Sequence, residues 1–219
     1  MNANDPPRAG AGTTRVEAVR VKVCGVMRPE DARAAEMAGA DAVGVILWAR
    51  SPRRLALDAA AAVLAPLGPF VQRVGVVVDA PADFVHEAIA RLRLGAVQFH
   101  GNEEPAFIGP FKARVAVIRA VSYGPGLVLE RLQRMPADAV LVDGLRPGSG
   151  EAFDWSQAAR LRSLDRWVLA GGLTPDNVAA AIRALDPMGV DVASGVESAR
   201  GVKDHEAVRR FVAAAKAAR

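Results

Sequence analysis

The chain has 219 residues, of which 51% are hydrophobic and 24% are charged, so it can bury a sizeable core and is expected to fold on its own. Its formal net charge is +4, but the basic residues are dispersed along the sequence and aromatic residues make up only 5% of it. Because binding of nucleic acid needs clustered positive charge or stacking rings, we expect no nucleic acid partner.

Residues 1–17 contain no apolar signal core, and no apolar run in the sequence approaches the roughly 18 residues that cross a membrane. We therefore expect a cytoplasmic protein without a membrane partner, with a flexible tail over 1–17 and a single catalytic domain over 18–219. Cys24 is the only cysteine, so it can form no internal disulfide and cannot by itself build a zinc site.

Eight apolar, strand-like runs alternate with amphipathic helical patterns along the chain. The predicted strands are 20–25, 41–47, 73–79, 96–100, 115–121, 138–144, 167–172 and 189–194. The predicted helices are 29–38, 57–66, 81–93, 103–110, 125–134, 155–162, 174–185 and 204–217. This α/β alternation, with no linker between halves, predicts a single, parallel, eight-stranded (β/α)8 TIM barrel rather than an open doubly wound sheet.

Local signals mark several helix ends. Proline beside an acid in "RPED", "APAD" and "TPDN" predicts the first turn of three helices, because proline there loses no needed N–H. Gly39 is predicted to end the first helix in a left-handed conformation, and Asp154 to cap the helix that follows it.

A barrel of this class carries its chemistry at the C-terminal ends of the strands. The polar residues and glycines that fall at or just after predicted strand ends are Cys24, Arg53, His100, Asp143, Gly171, Gly172, Asp191, Ser194 and Gly195. We expect one rim of the barrel to collect them. His86 and His205 fall on predicted helices and are expected at the surface.

Cys24 and Asp143 are the candidates for proton transfer. In "VKVC" the alternation places Lys22 and Cys24 on one face of the strand, so the thiol could face the barrel mouth as a nucleophile or a general base. Asp143 closes "AVLVD" and could be its acid partner across the mouth. The alternatives are a buried core cysteine and a turn or capping aspartate.

Two glycine loops, "LAGGLTPDN" and "DVASGVES", follow the seventh and eighth predicted strands. Barrels commonly hold a phosphate there through backbone N–H groups, so the substrate is expected to be a small molecule, a sugar phosphate. Arg53, in "SPRRL", is either a solvated surface residue or a planar fork that binds a carboxylate.

Taken together, the motifs resemble those of the phosphoribosylanthranilate isomerase family, a (β/α)8 enzyme family of tryptophan biosynthesis. The resemblance runs from about residue 19 to residue 217. The matching segments are "KVCGVMRPEDA", "ADAVGVIL" with "SPRRL", "VGVVVD", "VQFHG", "LVDG" with "GSGEAFDW", "LAGGLTPDNV" and "GVDVASGVESARGVKD".

The resemblance implies an Amadori rearrangement of N-(5′-phosphoribosyl)anthranilate that needs neither a metal nor an organic cofactor. It makes Cys24 the general base and Asp143 the general acid, and it assigns the anthranilate carboxylate to Arg53. It assigns the phosphate to the glycine loops, through Gly171, Gly172, Ser194 and Gly195. His100 and Asp191 would line the site.

This chemistry needs an acid whose pKa is raised, so that it opens the ribose ring, and a thiol whose pKa is lowered, so that it removes the C2′ proton. Departures from the family pattern lie in the loops: Glu151 replaces a basic residue, Ala49 stands where proline is common, and Arg50 where lysine is common. They bear on loop dynamics and affinity, not on the reaction.

Two other interpretations remain open. Another sugar-phosphate barrel enzyme, such as an indole-3-glycerol-phosphate synthase-like lyase or an aldolase, would need a catalytic lysine, and Lys22 lies one step below the mouth. A non-catalytic anion-binding protein is the second alternative. The oligomeric state is left open between a monomer and a homodimer.

Overall fold

The computed structural model describes residues 18–124, 126–144 and 158–219. Eight parallel strands close into a barrel in chain order, with the last strand paired to the first. The barrel strands are β1 (Arg20–Val23), β2 (Ala42–Ile46), β3 (Gln72–Val77), β4 (Ala96–Phe99), β5 (Ala116–Ser122), β6 (Ala139–Asp143), β7 (Trp167–Leu169) and β8 (Gly189–Val192). The prediction of an eight-stranded (β/α)8 barrel is confirmed.

Seven α-helices lie within the described residues. They are α1 (Pro29–Met37), α2 (Leu57–Leu64), α3 (Ala82–Leu92), α4 (Pro105–Ile108), α5 (Leu129–Gln133), α6 (Val178–Leu185) and α7 (His205–Lys216). Short 3-10 helices cover Gly109–Ala113, Ala159–Ser163 and Ser194–Val196. None of the helices in these ranges is long and apolar enough to cross a lipid bilayer.

The observed elements are mostly shorter than the predicted ones. The fourth predicted helix is a single α-turn that continues as a 3-10 helix containing Pro110. Of the predicted helix 155–162, residues 155–157 lie outside the described residues, as do residue 125, Glu151 and Asp154, and the visible part is the 3-10 helix Ala159–Ser163. An antiparallel hairpin, β9 (Glu197–Ala199) with β10 (Val202–Lys203), follows β8 and was not predicted.

The helix-end signals succeed at α1 and fail at α6. Pro29 occupies the first turn of α1, and Gly39 follows the helix with φ +89°, as predicted. By contrast, α6 begins only at Val178, so "TPDN" forms a turn before the helix instead of its first turn. Asn177 accounts for this, because its side-chain oxygen accepts the Thr174 N–H, 2.8 Å away, and holds the turn outside the helix.

Strand alternation divides the side chains between two layers. On β1, Val21 and Val23 are fully buried in the hydrophobic layer between the sheet and the helices. Lys22 and Cys24 point the other way, into the barrel, where the packing is made by a small cluster that includes Ala120, Leu141 and Ala170. Polar residues therefore occupy the barrel interior above a narrow apolar floor.

Candidate active site

One cavity of about 220 Å³ at the C-terminal end of the barrel brings the predicted site residues together. The predicted residues in its lining are Cys24, Arg53, His100, Asp143, Gly171, Gly172, Asp191, Ser194 and Gly195. Each comes from the end of a strand or from the loop that follows it. Because strand ends of a parallel barrel share one rim, residues far apart in sequence meet there.

Cys24 directly follows β1 and is 6% exposed. Its N–H donates to the carbonyl of Val192, 2.8 Å away, which fixes it to the neighbouring strand end of β8. Burial raises the pKa of the Cys24 thiol, and the nearby Lys22 ammonium only partly opposes this. The expectation of a lowered thiol pKa is therefore wrong for the free protein, because desolvation outweighs the cation.

Lys22 lies one step deeper on the same inward face and forms an ion pair with Asp191. The Nζ–Oδ1 distance is 2.9 Å, and the two side chains are 7% and 10% exposed. The two residues stand opposite each other in the register of β1 and β8. Although burial favours the neutral amine, Asp191 and Cys24 raise the pKa of Lys22 above its ordinary value, so Lys22 is a cation.

Asp143 is the last residue of β6 and faces the same cavity. Burial, reinforced by the negative charge of Asp191, raises the pKa of Asp143 to about 6. Its Oδ1 is buried and has no hydrogen-bond partner among the residues that the structure describes. A carboxyl group in this state retains its proton at a pH where ordinary aspartates have lost it, which suits a general acid.

Gly171 makes room for Asp143. A Cβ at Gly171 would lie 2.6 Å from Oδ1 of Asp143 and in still closer contact with the N–H of Gly144. Its backbone has φ +88°, a conformation that L side chains rarely adopt. Glycine at this position therefore lets β6 and the loop after β7 approach each other at the acid.

Arg53 reaches the cavity from the loop after β2, but its guanidinium is already paired. Its Nε and Nη2 donate to the two carboxylate oxygens of Glu197, at 2.7 and 2.6 Å. Lys203 Nζ adds a third hydrogen bond to Glu197, at 3.1 Å. Burial by itself raises the pKa of the Glu197 carboxyl, but these hydrogen bonds outweigh it and lower that pKa.

A fully buried Asp31 connects α1 with the start of α7. Its carboxylate accepts hydrogen bonds from the side chain of Arg28, at 2.6 and 2.9 Å, and from the N–H of Lys203, at 3.2 Å. The ring of His205 lies 2.8 Å from it. His205 was expected at the surface; its side chain is 41% exposed and its ring also contacts this buried carboxylate. His86 differs from the expected surface position, because its Nδ1 is buried and its ring packs on Phe111 at 4.8 Å.

His100 follows β4 and shares the cavity wall with Gln98. The Nδ1 of His100 lies 3.4 Å from the Gln98 amide nitrogen. Burial lowers the pKa of the imidazole, and the Lys22 charge lowers it further, so His100 is neutral at physiological pH. Beside it, Arg119 and Glu103 form a second buried ion pair at 2.6 Å, which anchors the loop after β4.

The two glycine loops meet next to each other at the rim. Gly172 has φ +64°, and its carbonyl accepts a hydrogen bond from Asn177 Nδ2 at 2.9 Å. A Cβ on Gly195 would collide with the carbonyl of Leu173, so only glycine permits the 3-10 turn Ser194–Val196 to pack on the loop after β7. Backbone N–H groups at the start of such a turn have no partner within it.

Sequence reasoning missed or undervalued several residues of the site. Gln98 could have been found, since it lies two residues before His100 and alternation points both inward. Glu197 gave no signal, because its pairing with Arg53 spans 144 residues and depends on the unpredicted hairpin. Within the described ranges, no cluster of three or more histidine, cysteine or acidic residues is placed to hold a metal ion.

Comparison with known proteins places this geometry in a family. The family model for N-(5′-phosphoribosyl)anthranilate isomerase matches residues 21–214. An N-(5′-phosphoribosyl)anthranilate isomerase from Geobacter sp. (strain M21) is 46% identical over 204 residues, which cover 90% of this chain and 98% of that protein.

Solved structures agree in fold. A phosphoribosylanthranilate isomerase in complex with reduced 1-(o-carboxyphenylamino)-1-deoxyribulose 5-phosphate superimposes with a TM-score of 0.82 at 37% identity, covering 90% of this chain and 98% of that one. Monomers generated from the dimeric enzyme of Thermotoga maritima give a TM-score of 0.81 at 36% identity, with the same coverage. With its barrel, its cavity and these matches, the chain belongs to the N-(5′-phosphoribosyl)anthranilate isomerase family.

Proposed function

We propose that this protein converts N-(5′-phosphoribosyl)anthranilate into 1-(2-carboxyphenylamino)-1-deoxyribulose 5-phosphate, the third step of tryptophan biosynthesis from chorismate. The observation that carries the proposal is the cavity in which the Cys24 thiol and the protonatable carboxyl of Asp143 face a common space. A relative with this fold binds the reduced form of the same product.

The reaction begins with the acid. Asp143 donates its proton to the furanose ring oxygen, the bond from that oxygen to C1′ breaks, and the nitrogen lone pair forms a Schiff base with C1′. A carboxyl group with a pKa of about 6 keeps a useful protonated fraction near neutral pH. Within the described ranges Oδ1 has no partner, so it is the atom of the carboxyl group that we expect to contact the ring oxygen.

In the second step Cys24 acts as the general base. The Cys24 thiolate accepts the proton from C2′, and the electrons of that C–H bond form the enolamine. Tautomerisation then moves a proton to C1′ and releases the C2′ hydroxyl proton, which gives the ketone. One proton is donated and one is accepted, so both groups return to their starting states by exchange with solvent, and no electrons leave the substrate.

Binding is divided between the two ends of the substrate. The rim formed by Gly171, Gly172, Ser194 and Gly195 receives the phosphate through backbone N–H groups. Arg53 binds the anthranilate carboxylate through its Nη1 edge, or by displacing Glu197 from the other edge. Neutral His100 lines the wall between them, as does Asp191.

The structure argues against an alternative in which Lys22 forms a Schiff base. A Schiff-base lysine must be neutral to attack a carbonyl, whereas Lys22 is held as a cation by Asp191. An aldolase mechanism that forms a Schiff base on Lys22 would first have to break this buried pair.

A fluorescence assay tests the proposed function. The protein is mixed with freshly generated phosphoribosylanthranilate, and the decay of substrate fluorescence is followed in the presence and absence of enzyme. We expect saturable, enzyme-dependent decay that yields a product accepted by the next enzyme of the pathway. Decay no faster than the uncatalysed breakdown of substrate would refute the proposal and favour the anion-binding alternative.

Three further expectations concern the location, the domain bounds and the assembly of the protein. The enzyme is proposed to work in the cytoplasm, with a barrel domain over 18–219 preceded by a tail over 1–17. Its assembly is a monomer or a homodimer, and a dimer is supported by the existence of a dimeric relative and by Phe70, whose ring is 97% exposed. Light scattering at several protein concentrations distinguishes the two states.

A further inference from the structure

The Lys22–Asp191 ion pair lies in the barrel interior, and its Asp191 lines the same cavity as Cys24 and Asp143, the two groups that exchange protons with the substrate. Asp191 interacts electrostatically with both Cys24 and Asp143. Both members of the pair are nearly buried, and their atoms are 2.9 Å apart, so solvent screens them little. A pair in this position adds no net charge, but it places a positive pole and a negative pole at fixed points in the barrel interior beside the cavity.

The positive pole lies against the thiol. A Cβ built on Gly44, on the adjacent strand β2, would lie 3.0 Å from the Cys24 sulfur and 3.3 Å from the Lys22 nitrogen. Sulfur and ammonium thus share the small space that this glycine leaves open, and Lys22 can donate a hydrogen bond to the thiolate. Gly44 is therefore part of the arrangement, since any side chain there would push the two groups apart.

The negative pole acts on the acid. Asp191 is the main charge that raises the pKa of Asp143, and it outweighs the opposing effect of Lys22. At Cys24 the effect of Lys22, which lowers the thiol pKa, is larger than the effect of Asp191, which raises it. The same pair therefore has opposite net effects on the two groups, and it favours the protonated acid and the deprotonated base together.

We propose that Lys22 and Asp191 form a buried dipole that holds Asp143 ready to give a proton and Cys24 ready to accept one. Lys22 is then a positioning residue, which acts through Cys24 without touching the substrate. This inference rests on the proposed function, since it assigns the two proton-transfer roles that the reaction requires.

Other charges face the same groups and must be held constant in any test. Lys203, on β10, and Arg53, after β2, interact with Cys24, but both are bonded to Glu197. At Asp143 the further influence from the part of the chain that the structure describes is the N–H of Gly144, which favours the carboxylate. His100 also interacts with both members of the dipole.

The single cysteine allows a direct experiment on the free enzyme. Ultraviolet absorbance of the thiolate and the rate of alkylation by iodoacetamide, each followed against pH, report Cys24 alone. The thiol midpoint is the pH at which half of Cys24 is deprotonated in this titration. For Lys22→Met we expect the thiol midpoint to rise by at least about one pH unit, with alkylation at neutral pH slowed about tenfold. For Asp191→Asn we expect the thiol midpoint to fall.

A folded Lys22→Met protein whose thiol midpoint stays within about 0.3 pH units of the wild type overturns the proposal. Lys22→Met leaves Asp191 buried and unpaired. If that variant does not fold, the double variant Lys22→Met/Asp191→Asn, which removes both charges, takes its place. In the double variant the thiol midpoint should still rise, since Lys22 has the larger effect on Cys24. A matched control is Arg119→Met/Glu103→Gln, which removes the second buried ion pair and should leave the thiol midpoint unchanged.

The pH profile of kcat/KM distinguishes positioning from a merely structural role. In the double variant the acid limb, set by Asp143, should move to lower pH and the alkaline limb, set by Cys24, to higher pH. The bell-shaped plot of kcat/KM against pH should therefore widen while its maximum falls. A lowered maximum with both limbs unmoved would mean that the pair is only structural. The thiol titration needs no substrate, so an inactive wild type would refute the proposed function without affecting this measurement.

Discussion

Arg53 and Glu197 are joined by two hydrogen bonds, although they lie 144 residues apart in the sequence. The pair occupies the Nε edge of the guanidinium and leaves Nη1 outside the contact. Gly25 permits the approach, because a Cβ there would lie 2.7 Å from Cδ of Arg53. The free protein thus holds Arg53 in a fixed orientation at the cavity before any substrate arrives.

Arg53→Lys should raise KM for phosphoribosylanthranilate about tenfold or more, because lysine keeps the charge but cannot bind two carboxylates through a planar fork. Steady-state kinetics measure the change. Arg54→Lys is the matched control, since the adjacent Arg54 is exposed and does not line the cavity. An unchanged KM for Arg53→Lys would assign this arginine to the Glu197 contact alone.

Cys24→Ser should lower kcat by a factor of about 10² or more, because the serine hydroxyl is a far weaker base than a thiolate. Cys24→Ala should lose as much, since neither variant can accept the C2′ proton. Circular dichroism spectra should match that of the wild type, as both replacements fit the volume of a cysteine. If the folded serine variant retained nearly normal turnover, the role of Cys24 would be packing and not proton transfer.

The fold could be predicted from the sequence because its periodicity is repeated eight times. Each apolar run had to be buried on one side, and alternation on β1 placed Cys24 correctly toward the interior. The hairpin β9–β10 could not be predicted, because its strands have three and two residues and too little pattern to recognise. The start of α6 was misjudged, since the side chain of Asn177 competes with the helix for the backbone.

The residues that line the cavity could be predicted from the sequence, but their pKa shifts could not all be predicted. Position at strand ends was enough to choose residues that all line one cavity. The direction of the pKa shift at Asp143 was expected from the chemistry, whereas the shift at Cys24 was not. Burial and the three-dimensional arrangement of Lys22 and Asp191 decide it, and neither is visible in a linear sequence.

Gly171→Ala should lower both stability and turnover. The added Cβ would contact Asp143 and Gly144, and alanine is strained at φ +88°, so we expect a loss of about 1 to 3 kcal/mol of unfolding free energy. Denaturant unfolding measures it. Gly126→Ala is the control, because a Cβ at Gly126 meets no described residue within 4 Å and should change stability little. Equal effects of the two substitutions would contradict the close approach at Asp143.

Asp143 should make the protein less stable as the pH rises. Its pKa is raised by folding, so its proton stabilises the folded state below the unfolded pKa of 3.8, and this contribution is lost as the pH rises through about 6. Asp143→Asn should therefore be more stable than the wild type at pH 8, by about 2 kcal/mol, with the difference vanishing near pH 4. Urea unfolding at several pH values measures it.

Asp138→Asn serves for comparison, because it should change the free energy of unfolding at pH 8 in the opposite direction. Burial tends to raise the pKa of Asp138, but hydrogen bonds from the N–H of Val117 and from Lys112 outweigh it and lower that pKa. Its charge thus stabilises the fold above the unfolded pKa, and the contribution is lost as the pH falls through the lower folded value. At pH 8 this variant should be less stable than the wild type. A destabilised Asp143→Asn protein at that pH would contradict the raised pKa of Asp143.

The same Asp143→Asn variant should separate binding from chemistry. An amide can donate a hydrogen bond but cannot give up its proton at neutral pH, so turnover should collapse by a factor of about 10² or more. The phosphate depends on the backbone around Gly171, Gly172 and Gly195, so a reduced product analogue should bind with a Kd within about a factor of ten of the wild type. Isothermal titration calorimetry beside the fluorescence assay measures both quantities. Normal turnover would remove Asp143 from the mechanism, whereas loss of binding together with turnover would show that its role is to shape the cavity.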